Sequence, residues 1–263
     1  MVDPLVDKDI AGRLALITGA SGGIGGACAR TLFLQSVHVA LAFNSNRESV
    51  ERLATTLKND FTDAYPKSPV PKISIHQADL SNVEETLRIA EEAKAEHGRP
   101  VDILVANAGL GKRITDIEDI PLDVFEHTLN VNLRAPFLLA KSVVGSMKEK
   151  RWGRIIFVSS IAAYGVGLNG CHYAASKGGL TSMMKNLSTR LAQYNITVND
   201  VSPAMIGETG LLPSGDSVPG LVDSIPLGRL GVPQEVANVV LMFCTTGYMT
   251  GQSVLLAGGL NHK

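Results

Sequence analysis

The stretch LALITGASGGIG, residues 14–25, decides the fold of this chain. A short apolar run leads directly into a glycine-rich turn, and the residues over 24–36 then predict a helix. A turn this tight needs glycine for positive φ and for close approach of the backbone. The helix start behind it presents unpaired N–H groups and the positive end of the helix dipole, which suits a pyrophosphate, although a tight turn without a ligand remains the alternative. The predicted ligand-binding residues of this turn are Gly19, Ser21, Gly23, Ile24 and Gly25.

The same alternation of short strands and helices continues along the chain. Further strands are predicted at 37–43, 73–75, 101–105, 155–158, 196–201 and 253–256, and helices at 46–58, 82–97, 122–150 and 173–193. Three prolines within 59–72 predict a surface loop. Strands that alternate with helices form βαβ units, so we expect one domain with a Rossmann-type, doubly wound α/β fold. About seven parallel strands carry helices on both faces, with an N-terminal tail at 1–11 and a substrate lid at 204–226.

Composition excludes several classes of protein. The chain has 24 Lys+Arg against 25 Asp+Glu, a net charge of −1, so the basic excess of a nucleic-acid binder is missing. The sequence contains no uninterrupted apolar stretch of the about 18 residues that cross a bilayer, and the acidic start does not resemble a secretory signal. Cys28, Cys171 and Cys244 are too scattered for a metal cluster, and we expect all three to be buried. We therefore predict a cytoplasmic protein with no nucleic-acid, membrane or metal partner.

Tyr173 and Lys177 are the first candidates for catalysis. They are four residues apart on a predicted helix and so project from one face, although such a pair is usually a solvated surface. A free phenol with a pKa near 10 is a poor base at neutral pH, and an ammonium group within about 4–6 Å lowers that pKa. Ser159 and Ser160 end a predicted strand thirteen to fourteen residues upstream. Because side chains alternate along a strand, only one of the two serines faces the cleft, and the spacing favours Ser160.

Taken in order, these motifs resemble the short-chain dehydrogenase/reductase family. The matching stretches are TGASGGIG at 18–25, Asn107-Ala108-Gly109 after the fourth strand, and Tyr173-Ala174-Ala175-Ser176-Lys177. The segment IPLGRL at 225–230 and the terminal Gly258-Gly259 resemble the branch that reduces 3-oxoacyl thioesters, including those on acyl carrier protein. The resemblance extends from about residue 11 to the end of the chain.

The resemblance implies a role for each catalytic candidate. Tyr173 acts as the general acid, Ser160 hydrogen-bonds the substrate oxygen, and Lys177 also bonds the nicotinamide ribose. Asn132 holds a water that relays protons from Lys177, with Asn130 as its structural rival. Tyr164 and Cys171 are expected to line the substrate pocket. Further cofactor contacts implied by the family are Asp79, Leu80, Asn107, Ala108, Gly109, Tyr173, Lys177, Pro203, Ile206 and Thr209.

The end of the second strand predicts which nicotinamide cofactor is used. The sequence Asn44-Ser45-Asn46-Arg47 contains no carboxylate to bind an adenosine 2′-hydroxyl. Its polar side chains can hydrogen-bond a 2′-phosphate, and Arg47 can pair with it. The pattern therefore favours NADP(H). The glycine turn itself carries no Arg or Lys, which leaves NAD(H) open.

Two departures from the family pattern lie near the carboxyl end. In the segment SPAMIGET, residues 202–209, Ala204 replaces the usual glycine and Thr209 arrives one residue late, as though Gly207 were inserted. Ala257 stands where relatives carry an aspartate before Gly-Gly. The resemblance also implies a homotetramer or homodimer built through the helices at 122–150 and 173–193.

The sequence thus predicts an NADPH-dependent carbonyl reductase that converts a ketone, of the 3-oxoacyl type or another small ketone, to a secondary alcohol. An NAD-dependent alcohol or polyol dehydrogenase is the alternative within enzymes. A catalytically silent cofactor-binding sensor or structural protein is the alternative outside them.

Overall fold

A computed structural model describes residues 9–165, 168–212 and 220–260. These residues form a seven-stranded parallel sheet with the strand order β3-β2-β1-β4-β5-β6-β7. The strands are β1 Leu14–Thr18, β2 His38–Phe43, β3 Ile73–Gln77, β4 Ile103–Ala106, β5 Gly153–Val158, β6 Ile196–Pro203 and β7 Ser253–Leu256. The predicted doubly wound parallel sheet is confirmed.

Helices cover both faces of this sheet. They are α1 Gly23–Phe33, α2 Arg47–Ala64, α3 Val83–His97, α4 Leu122–Leu129, α5 Ala135–Lys150, α6 Cys171–Leu191 and α7 Pro233–Thr245. Alternate residues of β1 enter different cores: Ala15 and Ile17 pack with α1, α2 and α7, whereas Leu14 and Leu16 pack with α3, α5 and α6. The strands are buried on both sides, which is why they are almost continuously apolar.

Several predicted boundaries differ from the structure. The loop expected at 59–72 begins only after Ala64, because Phe61 is buried and packs against Phe33 with ring centroids 5.5 Å apart. The prolines that suggested the loop stand only from residue 66 onward. The single tract predicted over 122–150 is interrupted by a π-helical turn at Asn130–Arg134.

Other segments were missed or assigned differently. Helix α7 has no counterpart in the prediction, although Pro233 in its first turn and the Glu235 carboxylate, which accepts a hydrogen bond from the Val232 N–H, are typical start signals. Ile10 belongs to the predicted tail but is buried in the core. Cys171 is exposed, unlike Cys28 and Cys244, so the expectation of three buried cysteines is wrong for it.

The sheet order places the ends of β1 and β4 side by side at the point where the chain reverses direction across the sheet. In such folds ligands bind beyond the carboxyl ends of the strands at this switch point.

Within the described ranges, no helix combines the length and apolar character needed to span a membrane. Among the described residues, no group of three or more His, Cys, Asp or Glu side chains is arranged so that it could hold a metal ion.

Candidate active site

A cleft of about 990 Å³ opens at the carboxyl edge of the sheet, above β1, β4, β5 and β6. Most of the predicted site residues line it. They are Gly19, Ser21, Gly23, Ile24, Gly25, Asn44, Ser45, Asp79, Leu80, Asn107, Ala108, Gly109, Ser160, Tyr173, Lys177, Pro203, Ile206 and Thr209. The predicted residues outside its lining are Asn46, Arg47 and Asn132.

The glycine turn is built by close backbone approach. A Cβ on Gly25 would lie 2.2 Å from the Gly19 carbonyl oxygen, and Gly19 itself has a φ of +66°. A Cβ on Gly23 would lie 2.3 Å from the carbonyl oxygen of Glu208. No side chain caps α1 and no acidic residue occupies its first turn, so its N–H groups and dipole are available to an anion.

The turn after β4 is fastened to the glycine turn. The Thr18 hydroxyl oxygen accepts hydrogen bonds from the backbone N–H groups of Asn107, at 3.1 Å, and of Ala108, at 3.0 Å. The Asn107 side-chain amide donates to the Thr18 carbonyl oxygen at 2.8 Å. These bonds hold the two loops as one cradle under the cleft.

At the outer end of the cleft, the residues after β2 make different contacts. Asn44 and Ser45 line the cleft, whereas the Asn46 side chain caps α2 by accepting a hydrogen bond from the Ser49 N–H at 3.0 Å. Arg47 lines an adjoining groove with Asn44 and lies over the Phe43 ring. Its guanidinium also pairs with Glu51 at 3.3 Å, where both side chains are exposed. Arg47 therefore stands at the mouth of the cleft and already shares its charge with a carboxylate.

Tyr173 and Lys177 lie on one face of α6 and are both buried. The Lys177 ammonium is 5.8 Å from the centre of the Tyr173 ring and donates a hydrogen bond to the Val158 carbonyl oxygen at 2.8 Å. Burial lowers the pKa of Lys177 to about 8, and Asp200 opposes that shift.

The pKa of Tyr173 moves in the opposite direction to the one expected from Lys177 alone. Burial raises this pKa, and the hydrogen bond with Ser160 offsets only part of the rise. The neighbouring ammonium favours the phenolate, but the desolvation of a phenolate in a buried site outweighs that effect. Tyr173 is therefore held as a neutral phenol, which is a proton donor.

The two neighbouring serines make different contacts. Both serines line the cleft, whereas strand alternation predicted only one. The Ser159 Oγ is engaged by α6, where it lies 3.0 Å from the Thr181 Oγ1 and donates to the Lys177 carbonyl oxygen at 3.4 Å. The Ser160 Oγ accepts a hydrogen bond from the Ala162 N–H at 3.2 Å and interacts with the Tyr173 hydroxyl, so Ser160 is the better placed of the two to contact a substrate.

Asn132 lies in the π-helical turn with its side chain fully committed to protein partners. Its Oδ1 accepts from the Leu110 N–H at 2.9 Å, and its Nδ2 donates to the Leu110 carbonyl at 2.9 Å and to the Ser176 Oγ at 3.1 Å. These bonds tie the loop after β4 to α6, so the side chain positions both. Its rival Asn130 is only partly buried.

The segment after β6 bends to accommodate its extra residue. Met205 and Glu208 take positive φ angles of 57° and 56°. The Thr209 hydroxyl donates to the Ile206 carbonyl at 3.1 Å and accepts from the Leu212 N–H at 3.1 Å, which ties the segment to itself. Of the predicted lid at 204–226, residues 213–219 lie outside the described residues.

The substrate end of the cleft contains residues that the sequence analysis missed. Gly111, Arg113 and Asn169 line it, and none of them belongs to a recognisable motif. Leu211 also lines it and lies within the lid predicted at 204–226. Gly111 alone carried a signal, because it follows the Asn107-Ala108-Gly109 turn by two residues. Conversely, Tyr164 and Cys171 are not among the lining residues, and the Tyr164 hydroxyl bonds to Ser253 on β7 instead.

Comparisons with known proteins agree with this geometry. A family model described as short chain dehydrogenase matches residues 13–216. The chain is 36% identical over 256 residues to the 3-oxoacyl-[acyl-carrier-protein] reductase FabG of Rickettsia felis, covering 96% of this chain and 98% of that protein. It is 34% identical over 257 residues to dehydrogenase/reductase SDR family member 4 of Bos taurus, covering 95% and 88%.

Solved structures give the same result. A blue fluorescent protein from a metagenomic library, solved in complex with NADPH, is 32% identical, with a TM-score of 0.84 over 96% of this chain and 99% of that chain. A short-chain dehydrogenase/reductase from Serratia marcescens is 28% identical, with a TM-score of 0.85 over 96% and 99%. The resemblance inferred from the motifs is thereby confirmed: the chain belongs to the short-chain dehydrogenase family and is an oxidoreductase.

Proposed function

We propose that this protein is an NADPH-dependent carbonyl reductase that converts a ketone to a secondary alcohol. The observation that carries the proposal is the convergence of Ser160, Tyr173 and Lys177 on one cleft, beside the turn that ends at Gly109. A 3-oxoacyl thioester is the first substrate class to test, because the Rickettsia felis relative is named for that reaction. Another small ketone is the second.

The cofactor fits the cradle in this structure. The uncapped start of α1 leaves backbone N–H groups for a pyrophosphate. Gly25 and Gly23 allow the turn to take this shape, because a Cβ there would lie 2.2 Å and 2.3 Å from the carbonyl oxygens of Gly19 and Glu208. Asp79 and Leu80 line the adenine end, and Lys177 lies where the nicotinamide ribose would be bound. Pro203, Ile206 and Thr209 line the opposite wall and are assigned to the carboxamide side.

The preferred cofactor is NADP(H). Asn44 and Ser45 offer polar groups at the end of β2, and Arg47 lines the adjoining groove. Among the described residues, Asp79 after β3 is the one carboxylate that lines the cleft. The metagenomic neighbour was solved with NADPH. The ion pair between Arg47 and Glu51 is the observation that favours NAD(H) as the competing choice.

When bound, NADPH supplies the hydride that reaches the substrate carbon. The Ser160 hydroxyl hydrogen-bonds the ketone oxygen and fixes its distance from Tyr173. As the carbonyl π electrons move onto oxygen, the Tyr173 phenol releases its proton to that oxygen and becomes a phenolate. The Lys177 ammonium then stabilises the phenolate, and the proton is restored from solvent, while Asn132 holds the loop after β4 against α6.

The raised pKa of Tyr173 and the value of about 8 for Lys177 suit this direction. At neutral pH the phenol is protonated and the lysine is charged, which is the state that donates a proton. Oxidation of an alcohol needs the phenolate instead, so alkaline pH would favour the reverse reaction.

The decisive experiment is a panel of ketones and 3-oxoacyl thioesters followed by nicotinamide absorbance, with NADPH and NADH in parallel. Turnover with NADPH well above NADH supports the proposal. Turnover with NADH alone supports the dehydrogenase alternative. Tight cofactor binding without turnover across the panel supports the silent sensor.

We also propose that the protein is a cytoplasmic homodimer or homotetramer. Large apolar side chains are exposed on and just before α4 and on α5, including Ile117, Leu122 and Phe137. Apolar side chains grouped in this way are usually covered by a partner surface. Light scattering of the purified protein measures the assembly directly.

A further inference from the structure

Asp200 is a buried carboxylate that the proposed mechanism does not use. It lies on β6, where it shares a face with Val198 and Ser202 and is fully inaccessible to solvent. Its Oδ1 accepts hydrogen bonds from the Ser202 Oγ, at 3.1 Å, and from the Ser253 Oγ. Its Oδ2 is also buried and accepts no hydrogen bond of normal geometry from any described residue. A buried carboxylate that is only half satisfied costs stability and calls for an explanation.

The position of Asp200 connects it with the active site. In the register of the sheet, Asp200 is opposite Phe157 on β5, and the next residue, Val158, gives the carbonyl that accepts the Lys177 hydrogen bond. The Thr181 hydroxyl, one turn after Lys177 on α6, lies 3.0 Å from the Ser159 hydroxyl at the end of β5. Asp200 is therefore on the strand that neighbours the anchor of Lys177, on the face that α6 covers.

The charged and titratable groups around Asp200 come from three elements. Lys177 and Lys185 face it from α6, and both interact with it electrostatically. Tyr164 approaches from the 3₁₀ turn after β5, where its hydroxyl donates to the Ser253 Oγ at 2.7 Å. β7 contributes the hydroxyl of Ser253. Of the two lysines, only Lys177 is buried.

We propose that Asp200 is a positioning residue of this active site, which keeps the buried Lys177 in its ammonium form and is itself held by the hydroxyls of Ser202 and Ser253. A buried ammonium without a counter-charge loses its proton, because desolvation penalises the charged form. The carboxylate on the neighbouring strand supplies that counter-charge without touching the substrate. The inference rests on the proposed function only in assigning Lys177 to catalysis.

The direction in which Asp200 changes the pKa of Lys177 follows from the burial and the charges of the two groups. Burial lowers the pKa of Lys177 to about 8, and Asp200 acts against that lowering. Burial raises the pKa of Asp200, and the hydrogen bonds from the hydroxyls of Ser253, Thr181 and Ser202 offset only part of that rise. Removing the carboxylate charge must therefore lower the pKa of Lys177 further, and weakening its hydroxyl support must do the same to a smaller extent.

The test is Asp200→Asn, which keeps the shape and removes the charge. We expect the alkaline limb of the pH profile for ketone reduction to move about one unit towards neutral pH, which lowers kcat up to about tenfold above pH 8. The KM for the ketone should change little, because Asp200 does not contact substrate. Ser253→Ala should move the limb the same way by a smaller amount, and it serves if Asp200→Asn does not fold.

Asp102→Asn is the matched control. Asp102 is equally buried but lies before β4, where it is paired with Arg99 at 3.1 Å and Lys150 at 2.8 Å. Its substitution should lower the melting temperature and leave the pH profile in place. If Asp200→Asn and Ser253→Ala lose stability but the alkaline limb of their pH profile does not move, Asp200 has a purely structural role and the proposal is overturned.

A second readout separates this inference from the proposed function. NMR of ¹³Cε-labelled lysine, assigned with Lys177→Arg, measures the pKa of the amine without any turnover. A lower Lys177 pKa in Asp200→Asn supports the inference even if no ketone in the panel is reduced. An unchanged value refutes it even if the enzyme is fully active.

Discussion

The two ends of the cleft are constructed in different ways. At the cofactor end, backbone touches backbone: Gly19 and Gly25 leave no room for a side chain, and Thr18 binds the turn after β4 through two amide groups. At the substrate end, side chains make the walls, as Asn169, Leu211 and Tyr173 do around Gly111. At the cofactor end each position tolerates few residue types. At the substrate end a position requires only a side chain of suitable volume and polarity.

This difference explains which end was recognisable. Backbone contact restricts a position to glycine or to one side chain of fixed reach, so it leaves a motif in the sequence. The walls formed by Asn169 and Leu211 leave no motif, because many residues can fill the same space, whereas Tyr173 was recognisable through its spacing to Lys177. The following substitutions test the contrast, beginning with the largest expected effect.

Tyr173→Phe should lower kcat about 10²–10⁴-fold, because it removes the proton donor and nothing else. The dissociation constant for NADPH, measured by fluorescence titration, should stay within a few-fold of wild type. Tyr65→Phe, at an exposed position beyond the end of α2, is the matched control and should have wild-type kinetics. Turnover near the wild-type rate in Tyr173→Phe would remove this residue from the mechanism.

Gly25→Ala should disrupt the glycine turn at the cofactor end of the cleft and so weaken NADPH binding. The added Cβ would lie 2.2 Å from the Gly19 carbonyl oxygen, so the turn must open at a cost of about 1–3 kcal/mol. We expect a lower melting temperature and about tenfold weaker NADPH binding. Gly26→Ala is the control on the same helix, since its nearest neighbour would be 3.6 Å away. If both variants bind NADPH equally well, the close approach does not determine the affinity.

Arg47→Ala should reduce the preference for NADPH over NADH about tenfold, the scale of one exposed charge-assisted contact. The measurement is kcat/KM with each cofactor, and binding of NADH should not change. Arg52→Ala is the control, because Arg52 is exposed on the same helix and pairs with Glu48 at 2.7 Å. An equal loss with both cofactors would mean that Arg47 does not read the 2′-phosphate.

The sequence predicted the sheet, because alternating strands and helices are a local pattern. It also brought forward the glycine turn and the set of Ser160, Tyr173 and Lys177, which line one cleft and whose roles stay predictions. It did not predict that burial of Tyr173 outweighs the effect of Lys177 on its pKa, since desolvation depends on what α6 packs against. It gave no role to Asp200, whose environment comes from β5, β7 and α6 together. Features set by distant segments are absent from any short window of sequence.

Gly111→Ala should have the smallest effect and the most selective one. Its Cβ would lie 3.1 Å from the Asn169 Nδ2 and 3.3 Å from the Tyr173 Cε2, so these side chains must give way by a few tenths of an ångström. Side chains can move where the backbone of the glycine turn cannot, so folding and NADPH affinity should be retained. The KM for bulky ketones should rise about tenfold, the lower end of the effect of one methylene in a substrate pocket, while small ketones are unaffected. Gly145→Ala, at an open position on α5, should leave every ketone unchanged. A uniform loss across ketones of all sizes would show that Gly111 supports Tyr173 rather than the shape of the pocket, and the contrast between the two ends would then disappear at this position.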